Sequence, residues 1–255
     1  MTVEQFCKHL FECVPASLSC EWDNDGLMVS GDPARHVRRV LCTLDVTEEA
    51  VDYAVAGGFD LIISHHPLIF KPLPAVTPAD PVARKVIRLL ENGISVISLH
   101  TRLDAIADGV NDRLCDLLDL EEVKHIDGDG DMIARIGWLP EPMPLPEFCA
   151  LVKERLGAPA VLASDAGREV FCVALCGGDG KDYVTLARDA GADTYLSGRI
   201  GYHQMTDAPE LGINMVEAGH FYTETHITEY FADILRDFLP EAEFEEFSSN
   251  VILCL

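Results

Sequence analysis

The sequence predicts an α/β protein made of two related three-layer α/β units, each with a mixed sheet flanked by helices. Three observations predict this fold class. Apolar runs of strand length alternate with helical stretches along the chain. The strand segments lack polar alternation, which is typical of a sheet covered on both faces. The same order of elements recurs in the second half, which indicates an internal duplication.

The size and composition of the chain agree with this class. The 255 residues are 48% hydrophobic and 24% charged. These values are typical of globular proteins and exclude a disordered or low-complexity chain. The length allows one large domain or two small ones, each with a buried core.

The first half contains a βαβ unit followed by a further helix and strand. The helix of this unit has Asp45 or Thr47 as its candidate N-cap and ends at Gly57 and Gly58. A short amphipathic helix is predicted at the N-terminus. The other predicted segments are strand 38–45, helix 47–58, strand 60–64, helix 83–93 and strand 94–100.

The second half repeats this order, with strand 169–176, helix 181–191, strand 193–197 and strand 213–220. A shift of 133 positions gives 5 identities in the 14 positions from 51 to 64. The identical pairs are Val51 and Val184, Ala54 and Ala187, Gly58 and Gly191, Asp60 and Asp193, and Ser64 and Ser197. With one gap, the last strand of each copy is followed by a histidine and, four residues later, by a carboxylate.

The segment 127–146 is rich in Gly and Pro and is the predicted joint between the units. The predicted domains are 1–126 and 127–255, and the prediction allows the C-terminal segment to pack on the first unit. Asp127, Asp129 and Asp131 resemble the start of a calcium loop, but the required Gly and Glu are missing. A polar turn is therefore predicted there.

The charge of the chain excludes some classes of partner. Lys and Arg number 19 against 43 Asp and Glu, which gives a formal net charge of −24. A polyanion would approach a surface of like charge, so nucleic acid and anionic membranes are not expected as general partners.

The cysteines and the N-terminus predict a cytoplasmic protein. Nine cysteines are an odd number, and no two have the Cys-x-x-Cys spacing, so most are expected to be reduced core thiols. Glu4, Lys8 and Glu12 interrupt the N-terminal segment where a signal peptide would be continuously apolar.

The strongest local signal for chemistry is the segment ISHHPLIF at 63–70, where an apolar strand ends in His65 and His66. Open α/β sheets bind their ligands at this end of their strands. Pro67 favours an extended conformation at His66, so the two side chains are predicted to point to opposite sides and to serve different metal ions. The alternative is a pair of polar loop histidines.

Two further strand ends carry His100 with Asp104 and His220 with Glu224. Imidazoles suit zinc, iron, manganese or nickel, and a carboxylate bridges two such ions. Two metals about 3.5–4 Å apart that share a hydroxide form a nucleophile at neutral pH. A single structural zinc is the alternative, although closed structural sites are usually rich in cysteine and these motifs contain none.

Four motifs together resemble a known family. SHHPLIF, HTRLD, GHFYTE and WDNDGL are similar to the dinuclear metal centre hexameric proteins often called GTP cyclohydrolase I type 2 homologs, which include NGG-interacting-factor-like proteins. The resemblance implies two metal ions (zinc, iron or manganese) and a toroidal homohexamer with the metal sites facing an internal cavity. The implied ligands are His65, His66, Asp104, His220 and Glu224, with His100 as a nearby second-shell or optional ligand.

The sequence departs from the family pattern at Arg102 and at the Ser-Gly-Arg turn 197–199, where substrate contacts are expected to differ. The segment CGGDGKDY at 176–183 lacks the P-loop pattern, and a tight turn is favoured over a phosphate cradle. WDNDGL is predicted to be a turn, and the resemblance makes it a pocket wall.

The leading functional hypothesis is a metal-dependent hydrolase that uses a metal-bridging hydroxide on a small nucleotide-like or phosphate-bearing substrate. The cyclohydrolase label comes from the name of the family. The alternative is a non-catalytic metal-binding protein, a metal carrier or an interaction scaffold.

Overall fold

The structure, a computed structural model, describes residues 1–126 and 130–255, with the side chains of 232, 233, 237 and 238 left out. Asp127 and Asp129 of the calcium-like segment lie outside the described residues. Asp131 accepts a hydrogen bond from the Tyr183 hydroxyl at 2.9 Å.

The helices and strands alternate over most of the chain. The helices are α1 (Val3–Cys13), α2 (Glu48–Gly57), α3 (Pro81–Glu91), α4 (Thr101–Ala105), α5 (Val110–Leu117), α6 (Leu145–Leu156), α7 (Val184–Asp189), α8 (Tyr202–Leu211), α9 (His220–Glu224) and α10 (Ile227–Phe238). The strands are β1 (Gly26–Val29), β2 (Arg39–Thr43), β3 (Leu61–Ser64), β4 (Ser95–Ser98), β5 (Glu121–His125), β6 (Arg135–Met143), β7 (Leu162–Ser164), β8 (Val170–Cys176), β9 (Thr194–Ser197), β10 (Asn214–Glu217) and β11 (Glu243–Phe247).

By packing, the described chain divides into two compact units. The first comprises Met1–Leu103 and Ile227–Val251, and the second comprises Asp104–His226 and Ile252–Leu255. The predicted domain boundary between residues 126 and 127 stays a prediction.

The first unit has a five-stranded mixed sheet in the order β1-β4-β3-β2-β11. Strands β4, β3, β2 and β11 are parallel, and β1 pairs with β4 in the antiparallel direction. Strands β3 and β4 are buried along their whole length. The core on this sheet includes Leu41, Ile62, Leu89 and Val96.

The second unit has a six-stranded mixed sheet in the order β5-β6-β8-β9-β10-β7. Strands β8, β9 and β10 are parallel, while β7 pairs with β10 and β6 with β8 in the antiparallel direction. Its core includes Phe148, Val173, Leu196 and Val216. The predicted fold class of mixed sheets flanked by helices is therefore confirmed.

Each sheet contains an antiparallel edge strand followed by three parallel strands, β1-β4-β3-β2 and β7-β10-β9-β8. The aligned residues Asp60 and Asp193 also have the same role. Asp60 Oδ2 accepts the backbone N–H of Arg38 at 2.8 Å, and Asp193 Oδ2 accepts that of Cys172 at 2.7 Å. Each carboxylate thus ties the start of one parallel strand to the start of the next, as a duplication predicts.

Local sequence explains the limits of the predicted elements. Thr47, not Asp45, caps α2 by accepting the N–H of Ala50, and Gly58 ends the helix with φ of 65°. The predicted helix over 181–191 begins as a 3₁₀ turn and becomes α-helical at Val184. The predicted N-terminal helix is α1, which Thr2 and Gln5 cap reciprocally.

Five of the nine cysteines are buried, as expected for core thiols: Cys7, Cys42, Cys115, Cys172 and Cys176. Burial raises the pKa of the Cys42 thiol to about 12. Within 1–126 and 130–255, no helix is long and apolar enough to span a bilayer.

Candidate metal centre

In the first unit, three parallel strands end at the same level and deliver polar residues to one edge of the sheet. Thr43, Ser64 and Ser98, the last residues of β2, β3 and β4, are in register. The Ser64 and Ser98 hydroxyls lie 2.9 Å apart. The residues that follow these strand ends form the candidate site, as expected for the carboxyl edge of a parallel sheet.

His65, His66 and His100 form a compact cluster at this edge. Their ring centroids are 5.1 to 5.8 Å apart, and one ring nitrogen from each lies within 4.8 Å of the others. The prediction that His65 and His66 point to opposite sides is wrong. The strand ends at Ser64, so the two histidines lie in a bend and not in a pleated strand.

Each imidazole is oriented through its Nδ1 atom. Nδ1 of His65 lies 3.0 Å from the carbonyl oxygen of Leu99. Nδ1 of His66 lies 2.8 Å from Asp45, and Nδ1 of His100 lies 2.8 Å from Asp23. Because these partners accept hydrogen bonds, the neutral rings carry their proton on Nδ1 and a lone pair on Nε2. This is the usual arrangement for histidines that bind metal through Nε2.

The segment 22–27 holds His100 in place through Asp23. The Asp23 side chain is fully buried and accepts hydrogen bonds from the Thr101 hydroxyl at 2.6 Å and its backbone N–H at 3.1 Å. Burial raises the pKa of the Asp23 carboxyl, but the hydrogen bonds from His100 and Thr101 outweigh it and hold the pKa well below its usual range. Asp23 is therefore a carboxylate that fixes the His100 ring.

Arg102, one of the departures from the family pattern, has a structural role within the first unit. Its guanidinium is buried, and its Nε donates to Asp25 at 2.7 Å. It also donates to the Val14 carbonyl at 3.0 Å and lies 5.2 Å from the centre of the Phe11 ring. Arg102 thus anchors the segment 22–27.

In the second unit, His220 and Glu224 lie one turn apart on the short helix α9. Residues four apart share a helix face, and His220 Nε2 lies 2.9 Å from Glu224 Oε2. A carboxylate oxygen of Asp104 lies within 4.8 Å of one from Glu224. Both acids are buried, with Asp104 7% and Glu224 4% exposed. Two buried carboxylates at this distance repel each other and favour a cation beside them.

The loop after β8 closes tightly on these acids. Asn111 Oδ1 accepts the N–H of Gly177 at 2.7 Å, and Thr223 Oγ1 accepts that of Gly178 at 3.1 Å. Ser197 Oγ accepts the N–H of Gly180 at 3.1 Å. Since these amides bond within the protein, the segment is the tight turn favoured by the sequence and not a phosphate cradle.

The donor atoms fit divalent metal ions. The first unit offers three imidazoles, His65, His66 and His100, which form a group that could hold a metal ion. The second unit offers the buried carboxylates of Asp104 and Glu224 and the imidazole of His220. Nitrogen and oxygen donors of this kind suit zinc, iron and manganese.

Comparisons with known proteins identify the family of this chain. The model of the family Duf34/NIF3 (NGG1p interacting factor 3) matches residues 1–252. The chain belongs to the Duf34/NIF3 family. The resemblance drawn from the four motifs is thereby confirmed.

The NIF3 relatives include proteins of similar length. The chain is 32% identical over 230 residues to the GTP cyclohydrolase 1 type 2 homolog of Clostridium acetobutylicum, covering 88% of this chain and 85% of that protein. The crystal structure of a Bacillus cereus protein related to NIF3 has a TM-score of 0.89 and 22% identity, and the match covers 100% and 99% of the two chains. Reduced HcgD from Methanocaldococcus jannaschii has a TM-score of 0.83 and 27% identity, covering 96% and 97%.

Sequence reasoning missed two site residues of this NIF3 protein. The sequence pattern presents Asp45 only as a candidate helix cap, and it lies against His66. Asp23 belongs to a predicted turn, and it fixes His100. Asp45 follows the end of β2, and its place at a strand end is the signal that identifies it. Asp23 lies in a loop, and its sequence signal is its place in the motif WDNDGL.

Proposed function

We propose that this protein binds two divalent metal ions, zinc, iron or manganese, through His65, His66, Asp104, His220 and Glu224, and that it is a metal-dependent hydrolase. The proposed substrate is a small nucleotide-like or phosphate-bearing molecule. One observation carries the proposal: three imidazoles converge at one sheet edge, each held through Nδ1. The names of the relatives, GTP cyclohydrolase 1 type 2 homologs, support the hydrolase part.

The bound ions would act as Lewis acids and lower the pKa of a water molecule toward neutrality. The protein's own residues orient the imidazole rings and neutralise part of the positive charge of the ions. Asp23 and Asp45 hold two rings in the tautomer that exposes the Nε2 lone pair, and they offset the positive charge of the ions. His100 lies in the same cluster as His65 and His66, which supports its place as a further ligand.

A second candidate function is a metal-binding protein without catalysis, such as a metal carrier or an interaction scaffold. One feature of the site favours it. The two carboxylates beside the imidazoles of the first unit, Asp23 and Asp45, are each engaged with a histidine, and neither is placed as a separate general base.

Metal analysis combined with a turnover screen distinguishes these functions. Purified wild type, His65→Ala and Glu224→Gln are compared with His203→Ala, which removes an exposed histidine from α8. We expect two ions per chain in the wild type and the control, and fewer in the other two variants. If the rate of hydrolysis of nucleotides or phosphoesters rises and falls with the metal content of the four proteins, the result supports hydrolase function. Full metal content without turnover supports the carrier, and equal metal content in all four proteins overturns the ligand assignment.

We further propose that the protein is cytoplasmic. We also propose that it forms a homohexamer, as the family resemblance implies. Nucleic acid and membranes remain unexpected partners on account of the charge of −24 per chain. Repulsion between six such chains should be screened by salt. Light scattering at rising ionic strength tests the assembly, and a monomer at every salt concentration excludes it.

A further inference from the structure

Two large aromatic side chains lie exposed beside the imidazole cluster. Trp22 is 63% and Phe70 44% exposed. Their ring centroids are 6.2 Å apart, and they lie 6.2 and 6.1 Å from the ring of His100. The three ring planes are inclined to one another by 77° to 85°. Trp22, Phe70 and His100 thus form three nearly perpendicular walls, here called the aromatic corner.

The aromatic corner is fixed in place by its neighbours in sequence. Next to Trp22, the buried Asp23 binds His100 and Thr101. The Asn24 side chain donates a hydrogen bond to the carbonyl of Ile69, the residue before Phe70. The two aromatic side chains therefore come from separate loops that are joined to each other and to the site.

The position of Trp22 has no evident benefit for folding. A tryptophan usually buries most of its large surface. Trp138, the second tryptophan of the chain, is half-buried and lies under the ammonium of Lys124. In contrast, the rigid exposed ring of Trp22 offers a flat apolar surface next to three polar imidazoles. Such a surface stacks well with a flat ring that also carries polar groups.

We propose that the aromatic corner stacks a planar heteroaromatic ring, such as a purine, and presents it to the imidazole cluster. The inference rests on the proposed function and names the class of its substrate. The flat ring would lie against Trp22, with Phe70 and His100 meeting it edge-on. The side chain of Trp22 would then determine affinity for the ring and take no part in metal binding.

Intrinsic fluorescence tests the proposal directly. In Trp138→Phe, Trp22 is the sole tryptophan, since the chain has two. Guanosine 5′-monophosphate is titrated into the full-length protein, with and without metal, and ribose 5-phosphate is the control that lacks the ring. We expect saturable quenching by the nucleotide and none by the sugar phosphate.

Calorimetry on Trp22→Ala and Trp22→Phe measures the role of the ring. We expect Trp22→Ala to bind the nucleotide about 5- to 150-fold more weakly, which corresponds to the loss of one stacked base. Trp22→Phe should recover most of the affinity, and both variants should retain the metal content of the wild type.

Three results would overturn the proposal: equal binding of nucleotide and sugar phosphate, unchanged affinity in Trp22→Ala, or Trp22 fluorescence that changes only with protein concentration. The last result would mean that a second copy of the chain covers the corner. Metal content separates the two hypotheses. If ring binding is absent while metal binding is intact, the stacking inference alone fails. If the ring binds to a protein that takes up no metal, the proposed function fails and the stacking stands.

Discussion

A methyl group added at Gly178 tests whether the glycine loop shapes the carboxylate cluster of the second unit. Gly178 has φ of +63°, and a Cβ atom there would overlap Glu224 Oε1. The same atom would lie 3.1 Å from Glu224 Cδ and 3.2 Å from His220 Nε2. Gly178→Ala therefore introduces both backbone strain and a clash with two candidate ligands.

Gly157 provides a matched control within the same unit. It also has φ of +63°, but nothing lies within 4 Å of the position that a methyl group would take there. Both substitutions carry the left-handed backbone penalty of about 1–2 kcal/mol. Gly178→Ala adds an overpacking penalty of about 1–3 kcal/mol. If Glu224 moves to relieve the clash, metal affinity should also fall about 10- to 100-fold, the range typical of a disturbed ligand environment.

Urea unfolding and competition with a metal chelator measure the two effects. We expect Gly178→Ala to have the lower unfolding midpoint and the weaker metal binding, and Gly157→Ala to bind metal as the wild type does. Equal midpoints and equal metal affinities in the two variants would refute the reasoning. They would mean that the loop yields to the methyl group without moving Glu224.

Three other predictions follow from the described contacts. Arg102→Met leaves the Asp25 carboxylate buried without its guanidinium partner, so the free energy of unfolding should fall by about 3–5 kcal/mol, and an unchanged urea midpoint would contradict this. Asp60→Asn and Asp193→Asn each weaken hydrogen bonds to two backbone N–H groups. Each substitution should lower the free energy of unfolding by about 1–3 kcal/mol in urea unfolding. A loss of stability in only one of the two variants would argue against equivalent roles. Because imidazole ligands must be deprotonated, bound metal should be released as the pH falls below about 6.5, and constant occupancy from about pH 7 to 4 would exclude histidine ligation.

The sequence predicts those parts of the fold that depend on local pattern. Strands β3 and β4 are short apolar runs between turn residues, and the structure places both within two residues of the predicted limits. The convergence of His65, His66 and His100 was predictable because carboxyl ends of parallel strands meet at one edge.

Features that depend on distant contacts could not be predicted in this way. Strand β11 pairs with β2 through Glu243 and Arg39, which lie far apart in sequence. Its sequence EFEEF is typical of an acidic surface segment and does not predict a paired strand. Asp25 reaches Arg102 from a loop with no periodic pattern. The predicted strand also ends at Ser64, but Pro67 favoured an extended backbone at His66, so the bend at His65 and His66 was not predicted.

The predicted duplication pairs strand ends that carry different chemistry. The shift of 133 positions pairs Asp45 with Gly178 and His65 with Gly198. A Cβ atom at Gly198 would lie 2.7 Å from the Cα of His220, and one at Gly178 would overlap Glu224. Any side chain at either position would therefore displace the helix turn that carries these two residues. The glycines are thus a requirement of the second unit, because His220 and Glu224 on α9 need the space that Asp45 and His65 fill in the first.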